Sequence, residues 1–146
     1  MLDENLPEEL CLFSLENTIY GLDIALITEV SKYTDHLVSN VHNTEEYVLG
    51  ISKLRGQIMT LLSLKNKLGQ GNYIDRKECM VIVACYEDEY IGFLVDRSMG
   101  VIRTEPSKFS KPPKNLFKLD EKFFPYVYKN GEKFIPVLSL EPLLEL

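Results

Sequence analysis

Tryptophan is absent from this chain, histidine occurs 2 times and cysteine 3 times. Each scarcity excludes something. Without tryptophan there is no Trp-based ligand cage. His36 and His42 lie in a polar segment, neither beside a cysteine nor in a spacing such as HxxxH, so no metal-ligand pattern is present. Cys11, Cys79 and Cys85 are odd in number, form no CxxC pair and lie inside apolar, strand-like runs, which predicts buried, reduced thiols. The glycines compose neither GxGxxG nor GxxxxGK, so no nucleotide cradle is supported. Basic residues are in deficit, with a net charge of −6 and a pI near 5.0, which disfavours phosphate-backbone binding. Local basic patches remain possible, since Lys108, Lys111, Lys114 and Lys118 fall close together. No apolar run approaches the ~20 residues of a membrane span. Met1–Glu9 is acidic, without the basic start and apolar stretch of a signal peptide, so a cytoplasmic protein is predicted. The acidic clusters Glu45-Glu46, Glu87-Asp88-Glu89 and Asp120-Glu121 match no divalent-metal loop spacing and read as solvated turns.

What is present is an ordinary globular composition, 45% hydrophobic and 26% charged over 146 residues. That length makes one domain, or two very small subdomains sharing a core. Strand signals are short and numerous. Glu9–Leu15 and Thr18–Leu22 flank the Glu16-Asn17 turn, and Asp23 can cap a helical turn in which Leu26, Ile27 and Val30 share a face. Tyr33–Val41 reads as a surface loop. Glu78–Tyr86 is nearly all apolar, as in a strand buried on both faces, and Tyr90–Asp96 returns as its partner. Met99–Thr104 is a further short strand. Pro106, Pro112 and Pro113 exclude a long element before Tyr126–Tyr128 and Lys133–Leu138, which flank Asn130-Gly131, a strong hairpin signal. About ten short strands with frequent turns predict an all-β barrel architecture. Leu12–Ile24 and Val81–Val95 share a strand, acidic turn, strand pattern, a faint internal repeat.

The richest stretch is 47–69, with two strand-like runs, Tyr47–Leu54 and Gln57–Leu64, joined by Arg55-Gly56. Gly56 can adopt positive φ, so the chain can reverse there and present Arg55 at the bend. No nucleophile, metal cluster or phosphate loop lies in it, so it suits recognition rather than chemistry. On residues alone, a turn arginine and a glutamate such as Glu29 are most simply solvated.

The pattern Gly-Ile-x-x-Leu-Arg-Gly-x-Ile-x-x-Leu-x-x-Leu-x-x-x-Leu-Gly closely resembles the core signature of the CheW-like family. The opening Phe13–Val30 resembles that family's first strand pair and following segment. Ile91-Gly-Phe-Leu-Val-Asp96 with Gly100-Val101-Ile102 resembles its later Gly/Val/Asp element. The resemblance runs from about Leu10 to Leu144. Departures occur at Thr60 and Ser63, where the family has Pro and Asp, at Ser98/Met99, and around Phe124-Pro125.

The resemblance implies two five-stranded SH3-like β-barrel subdomains packed side by side with short helical turns, all within one domain spanning 8–144. The first barrel would take approximately 16–84 and the second 8–15 plus 85–144. It implies no catalysis, no cofactor and no metal. Its members bridge the cytoplasmic tips of methyl-accepting chemoreceptors to the regulatory domain of the histidine kinase CheA, so the location implied is cytoplasmic, recruited to receptor arrays. With one such module, the chain is expected to be of the coupling type, with neither nucleic acid nor direct membrane insertion involved. A receptor-binding surface at Ile27, Val30, Arg55 and Val101, in a groove between the barrels, is implied. So are a kinase-binding surface at Val41, Tyr47 and Leu49, and an organising salt bridge between Glu29 and Arg55. The alternatives are a coupling protein of a non-flagellar chemosensory pathway and, in a different class, a thiol-dependent enzyme using Cys79 or Cys85. The latter requires an exposed thiol of low pKa.

Overall fold

The computed structural model describes residues 5–42, 44–71, 75–113 and 122–144. Lys114, Lys118 and Asp120-Glu121 lie outside these. In chain order the strands are β1 (Glu9–Leu15), β2 (Thr18–Asp23), β3 (Ile27–Lys32), β4 (Val48–Leu54), β5 (Gln57–Ser63), β6 (Met80–Tyr86), β7 (Glu89–Val95), β8 (Arg97–Arg103), β9 (Phe109–Ser110), β10 (Tyr126–Asn130) and β11 (Lys133–Val137). Two short helices, α1 (Leu64–Lys67) and α2 (Leu140–Leu144), complete the regular structure together with single 3-10 turns. The strands form two sheets, one ordered β8-β1-β2-β11-β10-β9 and the other β3-β6-β7-β5-β4.

Two compact units result, Leu26–Ser98 and Met1–Ala25 with Met99–Leu146. These boundaries differ from the expected 16–84 and 85–144 divisions. The reason is hairpin integrity. β1 and β2 are ladder partners from Leu10↔Asp23 to Leu15↔Thr18, and β6 and β7 from Met80↔Val95 to Tyr86↔Glu89, so neither pair is divided. The all-β expectation holds, but the sheets are open rather than closed barrels, and one has six strands instead of five. The sixth is the two-residue β9, paired to β10 through Val127↔Ser110 and Tyr128↔Phe109.

The faint repeat has a structural counterpart. In each sheet a hairpin (β1-β2 or β6-β7) donates its second strand to a parallel pairing, β2 with β11 and β7 with β5. That parallel partner then pairs antiparallel with the strand preceding it in sequence, β10 or β4.

Each unit has its own apolar centre. In the continuous unit Leu54, Met59, Leu61, Cys79, Val81, Val83 and Leu94 are buried together, with Tyr33, Val38, Leu49 and Tyr90 packed at the margin. In the other unit Leu10, Leu12, Phe109, Tyr128, Ile135 and Val137 form the cluster. There Phe109 meets Tyr128 edge-on at 4.8 Å, and the Tyr128 hydroxyl accepts the Glu105 N–H at 3.0 Å, so a buried ring keeps its polar end satisfied.

One element differs in type from expectation. The predicted helical turn through Leu26, Ile27 and Val30 is confined to a 3-10 turn, Ile24–Leu26, whose entry is fixed by Asp23 Oδ1 accepting the Ala25 N–H at 3.0 Å. Residues 27–32 instead form β3, paired from Ile27↔Ala84 to Lys32↔Met80 with an irregularity between Ile27 and Glu29. Ile27, Thr28 and Val30 are β-branched and stiff at χ1, which favours strand over helix. The ladder with β6 decides the matter.

The two departures on β5 and at its end are accommodated locally. Ser63 accepts the Asn66 N–H at 3.2 Å and donates to Asn66 Oδ1 at 2.5 Å, so it caps α1 as an aspartate would. Thr60 lies in the middle of β5, in register with Ile51 and Ile91, and gives an interior strand a backbone N–H that proline lacks.

Gly50 is the tightest point of the continuous unit. Its φ is +148°, and a Cβ there would overlap the Ser39 carbonyl oxygen. That carbonyl accepts the Ile51 N–H at 2.9 Å while the Ser39 N–H reaches the Ile51 carbonyl at 2.8 Å. Gly50→Ala is therefore expected to lower stability by roughly 2–4 kcal/mol through backbone displacement and strain. Denaturant unfolding checks this, and a loss under about 0.5 kcal/mol would show that the segment relaxes freely.

Candidate partner-binding surface

The β4–β5 hairpin closes through Arg55-Gly56, between the paired residues Leu54 and Gln57. Both turn residues are left-handed, with φ of 51° at Arg55 and 80° at Gly56, as a two-residue type I′ turn requires. Glycine tolerates this freely. Arginine does so against a preference of about 1–2 kcal/mol, so the Arg55 side chain occupies a position its backbone does not favour.

That side chain has a partner. Arg55 Nη2 lies 3.3 Å from Glu29 Oε1, with the arginine side chain 62% and the glutamate 30% exposed. Glu29 belongs to β3 and Arg55 directly follows β4, the two edge strands of the five-stranded sheet. For opposite edges to touch, the sheet must curl strongly. The ion pair and the Ser39↔Ile51 bridge are two points at which the curled edges meet without a continuous ladder. At this exposure the pair contributes only about 0–1 kcal/mol to stability. Its effect is positional: a guanidinium with free donors is held beside β3.

The other expected contact residues are distributed as follows. Val30 is 37% exposed and stands opposite Ile82 in register, so it shares the sheet face of Ile82 and Phe93, opposite to the face bearing Val81 and Val83. Ile27 is half-buried on the same strand. Val101 is exposed on β8. Val41 is exposed in the segment before β4. Tyr47 is half-buried, its carbonyl accepting the Ser63 N–H at 2.7 Å and its ring lying 3.9 Å from Lys67 Nζ, a cation–π contact. Leu49 packs against the core cluster of its unit and is partly structural. Ile27, Glu29 and Val30 thus share β3, and of these Glu29 is the one shown in contact with Arg55.

Sequence reasoning passed over several exposed apolar side chains, among them Leu37, Ile58, Met99 and Phe134. Ile58, 67% exposed, pairs across from Lys53, and that mixed pair beside the Arg55 turn was readable from strand alternation. Leu37 carried no comparable signal, being a single leucine in a polar loop.

Comparison with known proteins bears on the family and the fold. A family model described as the CheW-like domain matches residues 9–146. The chemotaxis protein CheW of Thermotoga maritima is 30% identical over 142 residues, covering 91% of this chain and 91% of its own length. The chemotaxis protein CheW of Klebsiella aerogenes is 26% identical over 141 residues, covering 97% and 84%. Among solved structures, the scaffolding protein TtCheW from Thermoanaerobacter tengcongensis superposes with a TM-score of 0.85 at 30% identity, over 97% of this chain and 94% of that one.

The thiols bear on the enzymatic alternative. Cys11 and Cys79 are buried as expected, but Cys85 is exposed, a correction to the reading of all three as interior. Cys85 lies near the end of β6, beyond the buried run Val81–Ala84. Burial pushes the Cys11 thiol up, and burial, with Asp96 and Asp75 nearby, pushes Cys79 up to about 11. Both are the reverse of an activated nucleophile. His36 is engaged with Ser31, Nε2 to Oγ at 2.7 Å, and among the described residues no 3 His, Cys, Asp or Glu side chains gather as a metal site. A thiol reagent at pH 8 should therefore label Cys85 rapidly in the native protein and Cys11 and Cys79 only on unfolding. Fast native labelling of Cys79, followed by peptide mapping, would contradict its burial.

Proposed function

Because this chain belongs to the CheW-like family of chemotaxis scaffold proteins, we propose that it is a non-catalytic adaptor coupling chemoreceptors to a CheA-type histidine kinase. The observation that carries the reading is a family match from residue 9 to residue 146, with the Glu29–Arg55 pair holding a charged group at the edge of β3. The work is recognition. Buried, protonated thiols at Cys11 and Cys79 and an engaged His36 support a role without covalent chemistry. The adaptor acts in the cytoplasm and is recruited to membrane-associated receptor arrays by its partners.

In this proposal Ile27, Val30 and Arg55 contact the helical receptor tip, and Val101, exposed on β8 of the other unit, is a separate candidate contact. A helix packs on such a surface through its apolar face, flanked by polar pairs. The regulatory domain of the kinase is met through Val41 and Tyr47. Leu49, half-buried against the core cluster of its unit, offers its remaining surface to the same contact. Lys67, over the Tyr47 ring, holds that ring's orientation.

Co-purification with a CheA-type kinase and with a receptor fragment tests the adaptor role directly. Val30→Lys places a charge in the receptor contact and is expected to weaken receptor binding by roughly 2–4 kcal/mol without unfolding the chain. Should the variant unfold, Val30 is core and leaves the list. Val41→Glu should reduce kinase capture and spare receptor capture; loss of both, or of neither, would count against separate surfaces.

Arg55→Ala is expected to leave the unfolding midpoint nearly unchanged, because the exposed pair is worth about 0–1 kcal/mol, while weakening kinase control by receptors. Arg55→Lys should rescue poorly, since lysine lacks the planar fork of donors. A large stability loss in Arg55→Ala would make the residue structural instead.

A further inference from the structure

Strand β8 forms one edge of the six-stranded sheet, beside β1. Arg97, Met99, Val101 and Arg103 along it are all exposed, Met99 at 45% and Val101 at 49%. The strand is nonetheless held. Ile102 packs against the cluster that contains Leu10, Leu12 and Tyr128. Just beyond, the Thr104 N–H donates to the Glu8 carbonyl at 3.0 Å and its hydroxyl to the Pro7 carbonyl at 2.5 Å. Two apolar side chains are thus displayed on a fixed strand, with an arginine at either end. Side chains on a preorganised backbone cost less ordering when a partner binds.

Gly100 decides how a partner can engage. Its φ of +86° interrupts the extended backbone in mid-strand, and a Cβ there would meet nothing within 4 Å, so the glycine serves the bend and not a close approach. Such a bend spoils the edge for an added β-strand. Contact then falls to the side chains.

Charge narrows the partner. Residues 97–104 contain no acid, on a chain whose net charge is −6. Among the described residues neither Arg97 nor Arg103 forms a salt bridge. The flanking acids are occupied elsewhere: Glu105 pairs with Lys108 at 3.6 Å, and Asp96 is half-buried and already engaged. A second copy in a two-fold contact would set arginine against arginine. We propose that β8 reads an acidic amphipathic helix, with Arg97 and Arg103 as specificity-determining residues. From one arginine to the other the strand spans about 20 Å, less the bend at Gly100. A helix covers that length in about 13 residues. Carboxylates about 11–14 residues apart on one helix face therefore meet the two guanidiniums, and apolar side chains between them meet Met99 and Val101. This rests on the adaptor reading. It gives Val101 to the receptor and makes the spacing of acids along the receptor helix the feature selected.

The test is titration calorimetry of the full chain with a soluble cytoplasmic fragment of a chemoreceptor from the same genome. Three proteins are compared: the parent, Arg97→Gln with Arg103→Gln, and Arg97→Lys with Arg103→Lys. With side chains this exposed, all three should melt at the parent temperature. The glutamine pair should lose about tenfold in receptor affinity, and the lysine pair should recover part of it, with kinase capture intact throughout. Parent affinity should fall between about 50 and about 300 mM salt, and the glutamine pair should flatten that slope. Receptor affinity of the glutamine pair within about twofold of parent, or a parent affinity indifferent to salt, overturns the assignment while leaving the adaptor reading in place. Loss of kinase capture with receptor binding intact overturns the choice of partner. So does self-association of the parent in sedimentation that the glutamine pair abolishes. Failure of the parent chain to bind the receptor fragment at all overturns the adaptor reading and this inference together.

Discussion

Two hydrogen bonds between Ser39 and Ile51 govern the form of the continuous unit. A five-stranded sheet ordered β3-β6-β7-β5-β4 has its first and last strands as free edges, and free edges invite pairing with other chains. Here the segment leaving β3 returns to pin itself on β4. That requires Gly50, because any side chain at that point would occupy the space of the Ser39 carbonyl. The same curl brings Glu29 to Arg55, a contact impossible in a flat sheet of this order. The pinning of the segment after β3 and the position of the arginine thus both trace to one close backbone approach.

Buried and exposed positions divide the energetic work along the strands. Stability resides in alternating buried positions such as Met59, Leu61, Val81 and Val83. The exposed positions between and beyond them, Val30, Ile58 and the Arg55 turn, contribute little to it. Loops and edges can therefore change partner preference while the core keeps its shape. The two family departures fit this division, since Ser63 preserves a helix cap and Thr60 restores a strand donor.

Much of this was legible in the sequence, for definable reasons. β1 and the β4–β5 hairpin were readable because an apolar run bounded by a turn and a positive-φ glycine are local signals. β3 was not, since Leu26, Ile27 and Val30 satisfy a helical spacing as well, and only pairing with β6 decides between them. Cys85 looked interior because an apolar run says nothing about where its covering ends. Open sheets were expected as closed barrels because closure depends on bonds between distant edges. The Glu29–Arg55 pair was foreseen through family resemblance, as residue spacing alone carries no trace of sheet curvature. Leu37 was invisible, because exposure of one loop side chain depends on what surrounds it in space.

The discontinuous make-up of one unit has a consequence for the order of events on the ribosome. Residues 26–98 form a unit that is continuous in the chain, so its sheet can be completed as soon as Ser98 has emerged. The β1–β2 hairpin is made before that unit yet must wait for its parallel partner, since Gly21 pairs with Val137. Until then, the strand that will become interior keeps one side unsatisfied, in the middle of a growing polypeptide. Vectorial synthesis therefore leaves this hairpin waiting while the whole continuous unit is made, and its slow long-range closure follows only after Val137 has emerged.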